Sequence, residues 1–409
     1  MKYFFILGNN PTLSIAEISA IFGLDKIQGR LTTPDVFILE IEQKINPTAL
    51  IKKLGGTIKI GLITGKAEPN NQAIINQADS LINEQEKQGK FKFGLSYYGQ
   101  KKINLKPIGM AIKKYLKEKG VNCRWVTSKE KNLSSVVVEQ NKLTSKGAEI
   151  VLIEEGGGIL IGQTSAVQPF KELSFRDYGR PARDDYSGML PPKLAQIMIN
   201  LALPVRTQDF VFPRKDTIIL DPFCGSSTIL TEAMLMGYKN LIGSDISPKA
   251  IENTEKNIAW INTKYQILNT KYQVHNKNAT ELSRVIKPNT VDAIITEPYL
   301  GPQRGKIDIK KTARELEQLY AKSLSEFSKI LKPNGRIVMI WPVFRATHNL
   351  PRRQAGAQRI TPDINGFKII NPLPENFRQN KGIILTDRNT IIYGRQGQKV
   401  WREIVILEK

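Results

Sequence analysis

Two residue types are nearly missing from this chain of 409 residues: it has two cysteines, Cys123 and Cys224, and two histidines, His275 and His348. Two cysteines so far apart in sequence argue against a disulfide framework and fit a reducing cytoplasm. With no Cys or His cluster, a zinc or iron–sulfur centre has no support, and no metal is expected. No stretch approaches the roughly 18 apolar residues of a membrane-spanning helix, so no membrane span is expected. The start, Met1-Lys2-Tyr3-Phe4-Phe5-Ile6-Leu7, is too short for a signal-peptide core and reads as a first strand. Acidic residues are also scarce: 38 Asp and Glu stand against 60 Lys and Arg, a net charge of +22. That excess calls for a polyanionic partner, with nucleic acid the default and a membrane surface the competing reading. Internal repeats and low-complexity tracts are absent. The length suffices for two or three domains with substantial cores.

The most informative stretch is Asp221-Pro222-Phe223-Cys224-Gly225-Ser226-Ser227-Thr228. It follows the apolar run Ile218-Ile219-Leu220, a buried parallel strand by pattern, and precedes a helix over Ile229 to Met236 that stops at Gly237. Strand, small-residue turn and helix is where α/β proteins bind nucleotide-like ligands. Gly225 and the serines let backbone N–H groups approach a ligand. Asp221, at the strand end, suits a positively charged or hydroxyl-rich group. No Lys closes the loop, as a Walker-type phosphate loop requires. An acid without that Lys fits S-adenosylmethionine, which has a sulfonium and an ammonium but no phosphate. Cys224 lies inside this loop, facing a cofactor and not a base, so a nucleophilic role is not expected.

Three further features fall in register. Asp245 ends Leu241-Ile242-Gly243-Ser244-Asp245, 20 residues past Gly225, where a carboxylate can accept from both ribose hydroxyls. Ser247 and Pro248 then suit the start of a helix. Asn278-Ala279 follows the strand-like Tyr272-Gln273-Val274-His275, at a position that can read an adenine edge. Glu297-Pro298-Tyr299 follows Val291-Asp292-Ala293-Ile294-Ile295, a buried strand by pattern. An acid, a proline and an aromatic at a strand end suit methylation of an amino group on a planar base. Glu297 can accept the exocyclic N–H bonds and Tyr299 can stack on the ring.

Along the chain, residues 1–70 alternate in a βαββαβ-like order that suggests a ferredoxin-like domain. Leu13 to Phe22 reads as a helix capped by Ser14 with Glu17 three residues later. A polar helical stretch is expected over Asn71 to Lys90, and strands at Phe91 to Tyr98, Ser134 to Glu139 and Glu149 to Glu154. Between them Ile108, Ala111, Ile112, Tyr115 and Leu116 have helical spacing, with Lys113, Lys114 and Lys117 mostly on the other face. That face could track phosphates or simply be solvated. Gly156-Gly157-Gly158 reads as a hairpin turn. Residues 171–186 read as a linker, where Arg176, Arg180 and Arg183 could touch RNA or pair with Asp177, Asp184 and Asp185. The remainder, 187–409, alternates β and α and closes on an antiparallel hairpin. The basic stretch Arg345 to Ile360 could form a mobile loop over the substrate.

Taken together, these residues resemble the class I S-adenosylmethionine-dependent methyltransferases, and more narrowly the tRNA guanine-N2 methyltransferases with an N-terminal THUMP domain. Besides the Asp221 loop, the likeness is carried by Arg176 to Asp184, Gly188 to Ala195, Phe5-Ile6-Leu7-Gly8, Tyr393-Gly394-Arg395 and Arg402-Glu403-Ile404-Val405. The resemblance implies a Rossmann-like α/β sheet behind an N-terminal α+β region, ferredoxin-like over 1–70 and THUMP-like over 71–170. It implies a cofactor set of Asp221, Phe223, Gly225, Ser226, Thr228, Asp245, Ile246, Asn278 and Ala279, and a catalytic set of Glu297, Pro298 and Tyr299. The RNA contacts would come from Lys113, Lys114, Lys117, Arg180 and Arg183. The implied substrate is the guanosine at position ten of tRNA, with no membrane and no metal as partner; the protein could act as a monomer. Two departures stand out. Ser227 replaces a second loop glycine, and Glu297-Pro298-Tyr299-Leu300 replaces the acid-Pro-Pro-aromatic order. They leave the methylated base open, and rRNA or DNA amino groups, or a non-catalytic RNA-binding fold, remain alternatives.

Overall fold

The computed structural model describes residues 1–23, 28–68, 72–75, 90–184, 189–204, 216–267, 269–302, 308–345, 357–394 and 397–409. Most of the expected helix over Asn71 to Lys90 and the centre of the Arg345 to Ile360 stretch lie outside the described residues. The chain divides into two compact units. One comprises residues 1–15, 24–172 and 379–383, the other residues 16–23, 173–378 and 384–409.

The first unit is organised on one eight-stranded sheet. Its elements run β1 (Lys2–Leu7), the start of α1 (Pro11–Phe22), whose residues from Ala16 onwards fall in the second unit, β2 (Gln28–Thr33), β3 (Val36–Glu40), α2 (Pro47–Ile51), β4 (Thr57–Ala67), β5 (Phe91–Tyr98), α3 (Leu105–Glu118), β6 (Cys123–Val126), α4 (Ser135–Gln140), β7 (Gly147–Glu155) and β8 (Gly158–Val167). The strand order is β2-β3-β1-β4-β8-β7-β5-β6. Residues 1–70 and 71–170, read from the sequence as two domains, therefore share a sheet. The seam is the antiparallel pair β4–β8, from Lys59 opposite Val167 to Ala67 opposite Ile159. Gly156 and Gly157 join β7 to β8 with positive φ at both positions, +55° and +84°, as a two-residue hairpin turn with right-handed strand twist requires.

Two local expectations are corrected. The Ser134 to Glu139 run is not a strand. Ser134 Oγ accepts from Val137 N at 3.3 Å and starts the short helix α4, whose Val138 is fully buried. In α1 the helix begins earlier than Ser14: Asn10 Oδ1 accepts from Leu13 N at 3.1 Å, while Ser14 Oγ donates to Gly56 O at 2.6 Å.

A charged pair is buried within this sheet. Lys59 Nζ, on β4, donates to Glu149 Oε1 of β7 at 2.5 Å and to Leu133 O at 2.6 Å. Ser96 Oγ and Thr164 Oγ1 each donate to a Glu149 oxygen at 2.6 Å, and Leu133 N donates to Ser96 Oγ at 2.9 Å. Three strands thus meet on a carboxylate carried by a fourth, and Leu133 joins them through Lys59 and Ser96. Such a pair adds little net stability over apolar residues, but loss of one member strands the other charge.

The second unit takes in α5 (Phe170–Tyr178) from Leu173 onwards, then α6 (Pro192–Ala202), β9 (Ile218–Asp221), α7 (Thr228–Leu235), β10 (Asn240–Asp245), α8 (Pro248–Tyr265), β11 (Lys271–Asn276), a 3-10 helix (Ala279–Arg284), β12 (Val291–Thr296), α9 (Ile309–Ile330), β13 (Leu331–Arg345), β14 (Ala357–Arg359), β15 (Lys368–Ile369), β16 (Ile391–Tyr393) and β17 (Val400–Glu408). Its sheet has the order β11-β10-β9-β12-β13-β17-β15. Strands β9 to β13 are parallel and β17 is antiparallel to β13. The order reverses between β9 and β12, which opens a crevice at their carboxyl ends. The expected linker is partly helical: α5 carries Arg176, which is buried and bonded to Glu232. Among the described residues, no helix is long and apolar enough to cross a membrane.

Replacing Lys59 by Met leaves Glu149 buried without its cation. Chemical denaturation should show the first unit destabilised by about 3–5 kcal/mol, with part of that recovered in Lys59→Met/Glu149→Gln. A single-variant cost below about 1 kcal/mol would show that the pair is dispensable.

Candidate active site at the sheet switch point

The residues singled out in the sequence gather at the carboxyl ends of β9, β10 and β12. Asp221 ends β9 and is 2% exposed. Its Oδ1 accepts from Thr296 Oγ1 at 2.9 Å, the last residue of β12, and from Phe223 N at 3.3 Å. Burial pushes the Asp221 carboxyl up to about 8, against the pull of these two hydrogen bonds; Asp245 and Glu297 add like-charge repulsion. A cation arriving beside it would be stabilised. The Cys224 thiol is buried and raised well above its usual range, mainly by desolvation, which gives no support to a nucleophile there.

The turn after Asp221 is built for close approach. Gly225 has φ +50°, and a Cβ added to it would meet nothing nearer than Phe223 O at 4.0 Å. Its N–H donates to Asp245 Oδ2 at 3.0 Å, so β10 holds the turn. Ser227 has φ +63° with no glycine to relieve it, a strain on the order of 1–2 kcal/mol. This is the position where the resemblance leads one to expect a second glycine, and the structure shows why. Asn257 Nδ2 donates to Ser226 O at 2.9 Å and to Ala182 O at 2.8 Å, fixing the turn from α8. Phe223 is half-buried, and Ser226 and Thr228 are buried.

Asp245 Oδ1 accepts from Ser247 N at 2.9 Å, and Ser247 Oγ caps α8 through Ala250 N at 3.3 Å. Ile246 beside it is 67% exposed, an apolar side chain left facing solvent. Asn278 caps the 3-10 helix: its Oδ1 accepts from Thr280 N and Thr280 Oγ1, both at 3.0 Å, which leaves the amide nitrogen for a ligand; Ala279 is buried. Asn276, missed in the sequence, ties β11 to β10 by donating to Asp245 O and Ile246 O at 3.0 Å.

Glu297 leaves β12 beside Asp221. Its Oε1 accepts from Arg402 Nε at 2.5 Å, and the pair is nearly buried. Burial penalises the Arg402 guanidinium, but Glu297 outweighs it and raises its pKa. The second carboxylate oxygen, Oε2, has no partner among the described residues. Pro298 is buried, while Tyr299 is 56% exposed and its carbonyl is held by the Tyr320 hydroxyl at 2.8 Å. An acid with one free oxygen thus stands beside an exposed aromatic ring. Besides Asn276, motif reading assigned no role to Arg402, Thr296 or Asn257. For Arg402 the signal was a cation within the apolar strand Val400 to Leu407.

The expected RNA-contacting residues are divided between the two units. Lys113, Lys114 and Lys117 lie on α3 of the first unit, Lys114 and Lys117 exposed and Lys113 partly so. Arg180 is corrected: it is 6% exposed, turned inward to Thr228 and unable to lie along a backbone phosphate. Arg183 donates to Asp177 O and Tyr178 O at 3.2 and 3.1 Å, at the end of α5. Arg176 pairs with Glu232 of α7.

A parallel sheet of this order, with an antiparallel last strand, and with acids at the ends of its first two strands, is the Rossmann-like sheet of a class I methyltransferase. Residues 180–364 match a family described as RMKL-like, methyltransferase domain (UPF0020). Residues 52–256, half of the chain, match one described as DNA methylase (N6/N4 type). The chain belongs to the methyltransferases that these two families describe. Curated relatives include the tRNA (guanine(10)-N2)-dimethyltransferase of Methanothermobacter thermautotrophicus, 35% identical over 158 residues, 38% of this chain and 40% of that protein. The proteins of the same name from Methanocaldococcus jannaschii and Pyrococcus abyssi are 30% and 26% identical, over 45% and 55% of this chain and 48% and 61% of theirs. The matched part therefore spans less than two thirds of these relatives' length. Among solved structures, TrmN from Thermus thermophilus covers both chains in full with a TM-score of 0.51 at 16% identity, a likeness of fold.

Asp221 makes stability depend on pH. Its folded pKa lies above its unfolded one, so its contribution is complete below about pH 4 and is lost as pH rises towards about 8. Asp221→Asn keeps an acceptor for Thr296 without the charge. Its Tm advantage over the parent should grow from pH 5 to pH 8, by roughly 2–4 °C per kcal/mol of penalty removed. An advantage that does not change with pH would show that the carboxyl carries no such penalty.

Proposed function

We propose that this protein transfers a methyl group from S-adenosylmethionine to the exocyclic N2 amine of a guanosine in tRNA, at position ten. The observation that carries the reading is the pairing, at one switch point, of acids ending β9 and β10 with Glu297-Pro298-Tyr299 after β12. The names of the curated relatives support the substrate.

Bound S-adenosylmethionine would supply a methyl group made electrophilic by its sulfonium. Asp221 and the turn 222–228 would hold its methionine portion, Asp245 the ribose hydroxyls, and Ile246 and Asn278 the adenine. The acids fit a ligand with a sulfonium, an ammonium and a diol, and the open space before Gly225 fits close backbone approach. Glu297, oriented by Arg402, would accept an N–H of the amine through its free oxygen and turn the nitrogen lone pair towards the methyl. Tyr299 would stack on a base flipped out of the RNA. The residues contribute mainly position and orientation.

We further propose that 1–70 is a ferredoxin-like domain and 71–170 a THUMP-like RNA-binding domain, with 171–186 leading into the catalytic domain at 187–409. The strand order β2-β3-β1-β4 of the first part and the net charge of +22 support this reading. The DNA methylase match over residues 52–256 motivates a second substrate reading, an amino group of DNA.

One assay separates the readings. The full chain is incubated with labelled S-adenosylmethionine and either unmodified tRNA, rRNA or DNA, and product nucleosides are analysed by mass spectrometry. N2-methylated guanosine from tRNA is expected, and Glu297→Gln should lower turnover by about 100-fold or more while cofactor binding persists. Label only in DNA or rRNA would replace the tRNA reading; unchanged turnover in Glu297→Gln would remove that residue from the mechanism.

Reversing Lys113, Lys114 and Lys117 to Glu together should weaken tRNA binding and flatten its dependence on salt, by about one unit of log–log slope for each phosphate no longer neutralised. An unaltered slope would return α3 to ordinary surface.

A further inference from the structure

Among the described residues, Arg180 is buried without an ion-paired carboxylate of its own. Its Nε donates to Arg176 O at 3.0 Å and its Nη1 to Thr228 Oγ1 at 2.7 Å, both neutral acceptors. The buried Glu232 carboxylate that acts on it is already committed, receiving Arg176 through Nε and Nη2 at 2.7 and 3.1 Å, and Gln196 Nε2 at 3.0 Å. Burial depresses the Arg180 guanidinium despite the pull of Asp177 and Glu232. A cation removed from water in this way is costly unless an anion joins it.

Thr228 opens α7, whose N-cap Ser227 makes no side-chain cap bond, so the positive end of the helix is uncapped by side chains. Ser227 Oγ is itself fully buried with no partner among the described residues. The space in front of Gly225 is open. Other arginines near the site are engaged: Arg402 with Glu297 and Arg183 with the carbonyls ending α5.

We propose that Arg180, with Ser227 Oγ and the first turn of α7, binds the α-carboxylate at the amino-acid end of the cofactor. This rests on the reading that the turn 222–228 holds S-adenosylmethionine. The acids Asp221, Asp245 and Glu297 suit the cationic and hydroxyl groups of that ligand and repel its carboxylate; Arg180 is the buried cation that meets it. A segment that reads as a linker thus supplies one wall of the cofactor site.

Calorimetric titration of the full chain with two ligands tests this. S-adenosylhomocysteine has the amino-acid end; 5′-methylthioadenosine has the adenosine and sulfur but lacks it. Arg180→Met should weaken S-adenosylhomocysteine by about 10- to 100-fold and 5′-methylthioadenosine by less than about threefold, the difference being the coupling to the carboxylate. If the Met variant does not fold, Arg180→Lys, which keeps the charge but not the fork, should show the same selectivity at smaller size. Equal weakening of both ligands would make Arg180 a support for the turn only, and no weakening of either would remove it from the site; either result overturns the proposal. A parent chain that binds neither ligand would overturn the cofactor reading itself.

Discussion

The second unit depends on one hydrogen bond between the ends of two parallel strands. Thr296 on β12 donates to Asp221 on β9 across the point where strand order reverses. Without that donor the carboxyl would be buried with only the Phe223 N–H for company. The two loops that leave these strands carry the small-residue turn and the Glu-Pro-Tyr turn proposed to hold cofactor and base. Their relative position is set before either ligand arrives, which is what reaction by positioning requires. The left-handed backbone at Ser227 is part of the same arrangement, strain held in place by the sheet below and by Asn257 from α8.

The first unit solves a different problem. Joining β4 to β8 makes one wide sheet from two sequence segments, and a sheet that wide has many registers in which apolar strands could pair. Lys59 and Glu149 act against slippage. A one-residue shift of β4 would point Lys59 to the opposite face, away from Glu149 and Leu133, and one of β7 would take Glu149 from Ser96 and Thr164. The pair's value lies in choosing a register more than in adding stability.

Much of the second unit was legible in the sequence because its signals are local. An apolar run, an acid and a small-residue turn lie within about ten residues at Asp221, and a run ending in an acid recurs at Asp245 and Glu297. What could not be read was pairing across distance. Arg176 has aspartates close by in sequence yet binds Glu232, 56 residues away. Arg180 looked like a surface cation and is buried, because nothing in the sequence tells which side of a short segment faces a core. Ser134 to Glu139 reads as a strand from its valines, but a serine cap and the burial of one valine are enough to make a short helix. Arg402 was read only as part of the family likeness, and its pairing with Glu297 emerges only when β17 is laid beside β13.

The antiparallel last strand has a consequence for the order in which the protein is made. Glu297 and Arg402 are separated by 105 positions. A ribosome that has finished the parallel strands and the cofactor turn has still to deliver the residue that orients the acid. Until β17 inserts, a nascent chain can hold the residues proposed for the cofactor while Glu297 lacks Arg402, so on that proposal competence for the two ligands is acquired at different times. Translation speed over the final stretch of codons, which alters no residue, thereby governs how long that half-finished state lasts.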